Sequence, residues 1–116
     1  DDFSFTAADV VADNTSEAKV VMGPISISPQ GLDLALIGLL LEVDGEQVAT
    51  ATGAATMGHP AEAVALLANW LGSHGSAIEA GWTVFSGGLT AAVPLVPGSH
   101  VSATFGHLGT VSVRGV

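Results

Sequence analysis

The stretch "LDLALIGLLLEVDGEQVATATGAAT" (residues 32–56) predicts the central structure of the chain. Asp44 and Gly45 lie between two largely apolar runs, and both residue types tolerate the positive φ of a tight hairpin turn. We therefore predict a β-hairpin with its tip at these two residues. The nearly continuous apolar run 34–41 predicts a strand buried on both faces, although periodicity alone does not exclude a helix.

The segment "HPAEAVALLANWLGSHG" (59–75) predicts one main helix, near residues 60–72. Pro60 suits the first helical position, and Gly72 and Gly75 are plausible stops. One predicted apolar stripe follows helical spacing, with the members Val64, Leu67, Ala68 and Leu71.

Short strands separated by Gly/Pro turns are predicted after this helix. Residues 82–86 favour a strand by composition, whereas "HVSATF" (100–105) and "TVSV" (110–113) alternate apolar and hydroxyl residues as half-buried strands do. The predicted fold class is α+β, with a mixed, mostly antiparallel sheet curled around a small core.

The composition limits the partners of the chain. Among its 116 residues, eleven acids face only Lys19 and Arg114, giving a formal net charge of −9. Two distant cations do not displace the counterions of a phosphate backbone, so we expect neither nucleic acid nor an anionic membrane as a partner. Only 11% of residues are charged, against about a quarter in typical domains. We therefore expect further chain, further subunits or both to cover part of the surface, and predict a homo-oligomer.

The uncharged stretch 80–113 is long enough to cross a bilayer, but glycines and prolines interrupt it throughout. We therefore reject a transmembrane helix. The chain has no cysteine, which excludes disulfides and thiolate metal sites and fits a reducing compartment. The predicted location is cytoplasmic.

Three sets of polar residues have an ordinary structural interpretation as well as a functional one. Acids at 42, 44 and 46 could bind a hard cation, but turn chemistry explains them unaided. Each of the four histidines lies beside glycine, proline or serine in a predicted loop, where a general base is possible; His59 is expected to precede the helix. The cluster 13–16 could form a turn or cap a helix that begins near Glu17.

Three longer stretches carry a more specific signal: "DVVADNTSEAKVVMG" (9–23), "ATGAATMGHPAEAVALLANWLG" (51–72) and "VFSGGLTAAVPLVPGSHVSATFGHLGTVSVRG" (84–115). Together, and in this order, they resemble the C-terminal half of the 2-keto-4-pentenoate hydratase and 2-oxo-3-hexenedioate decarboxylase family, within the fumarylacetoacetate hydrolase superfamily. The resemblance implies the curled sheet of that superfamily's C-terminal region.

The resemblance implies a lyase of aromatic-compound catabolism that binds Mg²⁺ or Mn²⁺ and acts on a 2-keto acid or its dienol. A cation chelated by the substrate carboxylate and 2-oxo oxygen would polarise the carbonyl. The leading reaction is hydration of 2-keto-4-pentenoate, as 2-hydroxypenta-2,4-dienoate, to 4-hydroxy-2-oxopentanoate. The alternatives are decarboxylation of 2-oxo-3-hexenedioate (4-oxalocrotonate) and a non-catalytic binding or assembly module. The scarcity of cations to pair with a second carboxylate favours the pentenoate, whose distal end is uncharged.

Family members are more than twice as long as this chain, and their metal-binding glutamates precede the matched region. The resemblance therefore assigns no metal ligand to any acid here. It implies that residues 1–116 are the C-terminal part of a catalytic domain whose N-terminal half is missing or is supplied by a partner chain.

Two matched motifs imply site residues, although loop shaping alone explains both. The segment "ADNTS" (12–16) matches a motif near the family active site and implies the catalytic candidates Ser16, Asn14 and Asp13. The segment "SGGLT" (86–90) matches a cleft motif and implies substrate-binding roles for Ser86, Gly87, Gly88 and Thr90. Glycines at such a position let the backbone approach a ligand closely.

Overall fold

The computed structural model describes residues 6–12, 15 and 17–116. Helix α1 comprises Ala7–Ala12 and helix α2 comprises Pro60–Ser73. The strands are β1 (Gly38–Val43), β2 (Glu46–Thr52), β3 (His100–Phe105) and β4 (Gly109–Arg114). No helix in these described ranges is long and apolar enough to cross a membrane.

The four strands form one antiparallel sheet in the order β2-β1-β3-β4. The predicted hairpin is confirmed: β1 pairs with β2, and Asp44 and Gly45 at its tip have φ values of 52° and 86°. Both values lie in the left-handed region that a type I′ turn requires. The register between these strands shifts between Leu41 and Glu42, which marks a β-bulge. An α+β fold with a mostly antiparallel sheet and one main helix is therefore confirmed.

The two faces of the sheet differ in chemistry, because successive residues of a strand point to opposite sides. The apolar face carries, by register, Leu39, Leu41, Ala49, Ala51, Val101, Ala103, Phe105, Val111 and Val113. The opposite, hydroxyl-rich face carries Thr50, Thr52, Ser102, Thr104, Thr110 and Ser112 around Leu40. There the hydroxyls of Thr104 and Thr110 are hydrogen-bonded at 2.8 Å.

The prediction that run 34–41 is a strand buried on both faces was therefore wrong. Residues 34–36 form a turn, and the Leu36 side chain is 72% exposed. Leu39 and Leu41 are buried on the apolar face, whereas Leu40 lies on the hydroxyl-rich face and is only half-buried.

The β4 end of the apolar face contacts the irregular segment 20–27. A Cβ added to Gly109 would lie 3.1 Å from Cδ1 of Ile25, and one added to Gly23 would lie 3.3 Å from Cγ1 of Val111. Glycines at these positions therefore let the segment lie closely against the strand.

Helix α2 is closed at both ends as its sequence predicts. At the N-terminus, Nδ1 of His59 accepts a hydrogen bond from the Ala61 amide at 3.1 Å. At the C-terminus, Gly75 has a φ of 73°, and the Ser76 amide donates to the Leu71 carbonyl at 2.9 Å. This is the Schellman arrangement, in which glycine takes the left-handed position.

The sides of α2 are poorly covered, since none of its residues is buried. Leu67 and Leu71 of the predicted stripe are half-buried, but Val64 and Ala68 are exposed. Leu66 and Trp70, outside that stripe, are 58% and 57% exposed.

Two further predictions were wrong. Residues 82–86 run through a region without regular secondary structure, because no described strand pairs with them. Their β-favouring composition therefore does not by itself make a strand. No helix begins near Glu17 either: residues 17–23 are irregular, and the nearby helix α1 ends at Ala12.

Candidate functional site

An open pocket of about 450 Å³ lies over the apolar face of the sheet. Its floor includes Leu39 of β1 and Phe105 of β3, which are directly paired in the sheet. Its complete lining is Leu34, Ile37, Leu39, Gly53, Pro60, Val84, Phe85, Ser86, Gly87, Gly88, Leu89, Phe105 and Leu108.

One wall of the pocket is held by backbone contacts just after β2. The Gly53 amide donates to the Ile37 carbonyl at 3.0 Å, and the Ala54 amide donates to the Ala35 carbonyl at 2.9 Å. A Cβ at Gly53 would overlap the carbonyl oxygen of Leu34. Glycine is therefore required there for the turn before β1 to lie against the end of β2.

The facing wall is the segment 84–89, which contains three of the four predicted substrate-binding residues. Ser86, Gly87 and Gly88 line the pocket, and Gly87 has a φ of 105° that side-chain-bearing residues rarely adopt. Thr90 is half-buried but does not line the pocket.

The predicted catalytic residues Asp13, Asn14 and Ser16 lie outside the described residues. Their roles stay predictions.

The lining is almost entirely apolar. Among its described residues only Ser86 carries a polar side-chain group, and none carries a charge. A carboxylate placed in such surroundings needs a cationic or hydrogen-bonding partner, since burying it alone is very unfavourable. The pocket chemistry therefore suits an uncharged hydrocarbon segment of a ligand.

Two of the three acids of the hairpin, Glu42 and Asp44, are hydrogen-bonded to β3. The Asp44 carboxylate accepts a hydrogen bond from the His100 amide at 2.7 Å, and Glu42 accepts one from the Ser102 hydroxyl at 3.4 Å. Across residues 6–12, 15 and 17–116, no three His, Cys, Asp or Glu side chains lie together as a metal would require. Glu42 of β1 and Asp44 of the β1–β2 turn are thus linked to β3 through hydrogen bonds.

The described histidines have structural positions. His59 caps α2, and His74 lies at the other end, where its ring is 4.3 Å from that of Trp70 and its Nδ1 is 2.8 Å from the Trp70 carbonyl oxygen. His100 begins β3, and His107 takes a φ of 64° in the β3–β4 turn. None of them lines the pocket.

Sequence reasoning did not select the apolar residues of the pocket. Their signal was the nearly continuous apolar run at Leu39 and the alternation at Phe105, and both patterns predict a core equally well. The wide separation in sequence between 37–39 and 105–108 also hid their proximity. Only the β1–β3 register brings them together.

Comparison with known proteins gives a consistent result. The chain is 41% identical, over 114 residues, to a 4-oxalocrotonate decarboxylase of a Pseudomonas species; the match covers 98% of this chain and 43% of that protein. It is 39% identical over 110 residues to a 2-keto-4-pentenoate hydratase of Paraburkholderia xenovorans, covering 95% of this chain and 41% of that protein. No family model matches.

The fold has a close relative among solved structures. A 4-oxalocrotonate decarboxylase from Pseudomonas putida, complexed with magnesium and adipate, superposes with a TM-score of 0.89 at 40% identity. The match covers 99% of this chain and 44% of that one. The chain therefore spans less than half the length of the relatives it matches.

Proposed function

Because the chain belongs to the 2-keto-4-pentenoate hydratase and 2-oxo-3-hexenedioate decarboxylase family of the fumarylacetoacetate hydrolase superfamily, matching its C-terminal half, we propose that it forms part of a divalent-metal-dependent lyase of aromatic-compound catabolism. The proposed reaction is hydration of 2-hydroxypenta-2,4-dienoate to 4-hydroxy-2-oxopentanoate. The proposed site of action is the cytoplasm, in a homo-oligomer.

The uncharged pocket carries this choice of substrate. Its lining offers Ser86 and the backbone of Gly87 and Gly88 as polar groups, while the remaining surface is apolar. A pentadienoate carries one carboxylate at one end and an uncharged alkene at the other. The apolar surface suits the alkene end, because contact between these two uncharged groups does not require a charge to be removed from water.

Decarboxylation of 4-oxalocrotonate is the second candidate. Its support is that relatives named as decarboxylases match at 41% and 40% identity, and that one such structure holds adipate, a dicarboxylate. A dicarboxylate needs a second anion-binding group. Lys19 and Arg114, the only basic Lys or Arg residues of the chain, do not line the pocket, so that group would have to come from another polypeptide segment.

The magnesium of the neighbouring structure belongs to that protein, and the described residues of this chain do not fit such an ion. Mg²⁺ prefers carboxylate and water oxygens, but the pocket lining carries no carboxylate and the described residues hold no cluster of three metal-binding side chains. We therefore assign no metal ligand to them. The proposed source of the carboxylates is the N-terminal half that the relatives possess.

The proposed role of this chain is to bind and orient the substrate. Ser86 would hydrogen-bond a substrate oxygen, and the glycines beside it would allow close approach of the backbone. Asp13, Asn14 and Ser16 are proposed to hydrogen-bond substrate or water, as the family motif implies.

A hybrid protein tests this proposal. Residues 1–116 would be joined to the part of a relative that precedes the matched region, in one version from the Pseudomonas decarboxylase and in another from the Paraburkholderia hydratase. Each hybrid would be assayed with Mg²⁺ on 2-hydroxypenta-2,4-dienoate, by product chromatography, and on 4-oxalocrotonate, by CO₂ release. The intact relatives are the controls.

We expect hydration to dominate in both hybrids, because the pocket is the same in both. If the reaction instead follows the donor of the N-terminal part, this pocket does not set the substrate. Folded hybrids that turn over neither compound would overturn the lyase proposal.

A further inference from the structure

The surface of the chain is larger than its mass explains. A globular monomer of 11.5 kDa exposes roughly 5,800 Å² by the usual scaling with mass, whereas this chain exposes 8365 Å². The excess is about 2,600 Å². Only Ile37, Leu39 and Leu41 are buried hydrophobic residues in the described part of the chain, so the core of that part is incompletely covered.

Helix α2 contributes to this exposed surface. Leu66 and Trp70 are one turn apart and more than half exposed, so they form a continuous apolar face on the helix. The apolar residues around them widen the apolar side to nearly half of the helix circumference; Val64 is exposed, whereas Pro60, Ala63, Leu67 and Leu71 are half-buried. A helix with this pattern normally packs its apolar side against other structure. Here no residue of α2 is buried.

The size of the exposed surface distinguishes between possible occupants. A standard interface covers about 800 Å² on each partner, so a second copy in an ordinary dimer would leave most of the excess uncovered. The Pseudomonas decarboxylase that is 41% identical to this chain matches it over 114 residues, which make up 43% of the length of that protein. It is therefore about 265 residues long, with roughly 150 residues beyond the match. A segment of that size packed within one domain covers surface of this magnitude.

We propose that the Leu66–Trp70 face of α2 docks onto the polypeptide corresponding to the N-terminal part of the relatives, and that this contact completes the domain. The inference rests on the proposed function only in taking this polypeptide as the source of the metal-binding carboxylates. The docking itself follows from exposed area and apolar pattern.

A binding experiment tests the docking without substrate or metal. Residues 1–116 would be mixed with the separately produced N-terminal part of the Pseudomonas decarboxylase relative. Complex formation would be measured by light scattering after size exclusion, and α2 protection by amide hydrogen exchange. That relative's own two parts, mixed in the same way, are the positive control.

We expect a one-to-one complex in which exchange of the α2 amides slows at least tenfold. Leu66→Glu should weaken the complex at least tenfold, because it places a charge in the contact. Ala65→Glu adds the same charge near the opposite side of the helix, since successive residues are about 100° apart, and should leave affinity within twofold. Trp70→Glu is a second disruptive variant.

Three results would overturn the proposal. One is a stable species of twice 11.5 kDa with protected α2 amides in the absence of the added part, which would identify a second copy as the occupant. Another is failure to bind when the control parts do bind. The third is equal weakening by Leu66→Glu and Ala65→Glu. A normal complex without catalysis would contradict the proposed function and leave the docking intact.

Discussion

Asp44 and His100, 56 residues apart, form a reciprocal pair of hydrogen bonds between the β1–β2 turn and the start of β3. The Asp44 amide donates to the His100 carbonyl at 2.8 Å, and the Asp44 carboxylate accepts from the His100 amide at 2.7 Å. The residue at position 44 therefore shapes the hairpin tip and also fixes β3 beside β1. Since β1 and β3 carry the floor of the pocket, this pair helps to position the site.

Replacement of Asp44 should test both roles. Asp44→Ala loses the carboxylate acceptor and places alanine at a left-handed φ, so we expect the local free energy of opening to fall by about 2–3 kcal/mol. Asp44→Asn keeps an acceptor oxygen and tolerates this φ, and should lose less than about 1 kcal/mol. Amide hydrogen exchange at His100 measures the local free energy of opening in both variants. Equal protection in the two variants would show that the side chain does not hold β3.

The close approach at Gly53 predicts sensitivity to a single methyl group. Gly53→Ala forces the Leu34 carbonyl to move, and we expect a loss of about 1–3 kcal/mol in the free energy of unfolding. Gly38→Ala is the control, because a Cβ there meets no atom within 4 Å and φ is not positive. Urea unfolding followed by circular dichroism compares the two. The explanation fails if Gly38→Ala destabilises as much as Gly53→Ala.

The two hydroxyls of the "SGGLT" motif should behave differently. Ser86 lines the pocket and Thr90 does not. In an active hybrid we expect Ser86→Ala to lower kcat/KM about tenfold, the value of one hydrogen bond to substrate. Thr90→Val should change it less than twofold. Steady-state kinetics on 2-hydroxypenta-2,4-dienoate decide the matter, and a larger effect at Thr90 would contradict the placement of the substrate.

The hydrogen bonds between Thr6 and Asp9 at the N-terminus of α1 should be lost at acidic pH. The Asp9 carboxylate accepts hydrogen bonds from the Thr6 amide and hydroxyl at 2.8 and 2.7 Å, and these bonds hold the pKa of Asp9 below its ordinary value. A depressed pKa means that the stabilisation is present above the ordinary value and is lost as pH falls through the folded one. We expect the Thr6 amide signal to titrate with Asp9. In Thr6→Val the pKa should move part of the way back, because the amide donor stays; no change would exclude the hydroxyl contact.

The extent to which sequence predicted structure follows from the range of the interactions. Turn and cap chemistry is local, so the tip at Asp44-Gly45 and the bounds of α2 could be predicted. The prediction of a strand at 82–86 was wrong because strand formation is not local: it depends on a distant pairing partner as well as on the composition of the segment. The faces of β1 were misjudged for the same reason: the neighbours of Leu40 are set by register.

The site shows the same division. The motif "SGGLT" indicated the wall at 86–88, but the apolar floor depends on contacts between β1 and β3 that no local pattern reveals. The low charge content of the chain predicted that some apolar surface would be exposed. It did not indicate that Leu66 and Trp70 would form part of that surface.

The measurement that tests the central claim most directly is turnover of 2-hydroxypenta-2,4-dienoate with Mg²⁺ by residues 1–116 alone and in complex with the N-terminal part of a relative. We predict no 4-hydroxy-2-oxopentanoate from either part alone and steady formation of it by the complex. Turnover by residues 1–116 alone, or its absence in a folded one-to-one complex whose control counterpart is active, would contradict the proposal that this chain is the substrate-binding part of a two-part lyase.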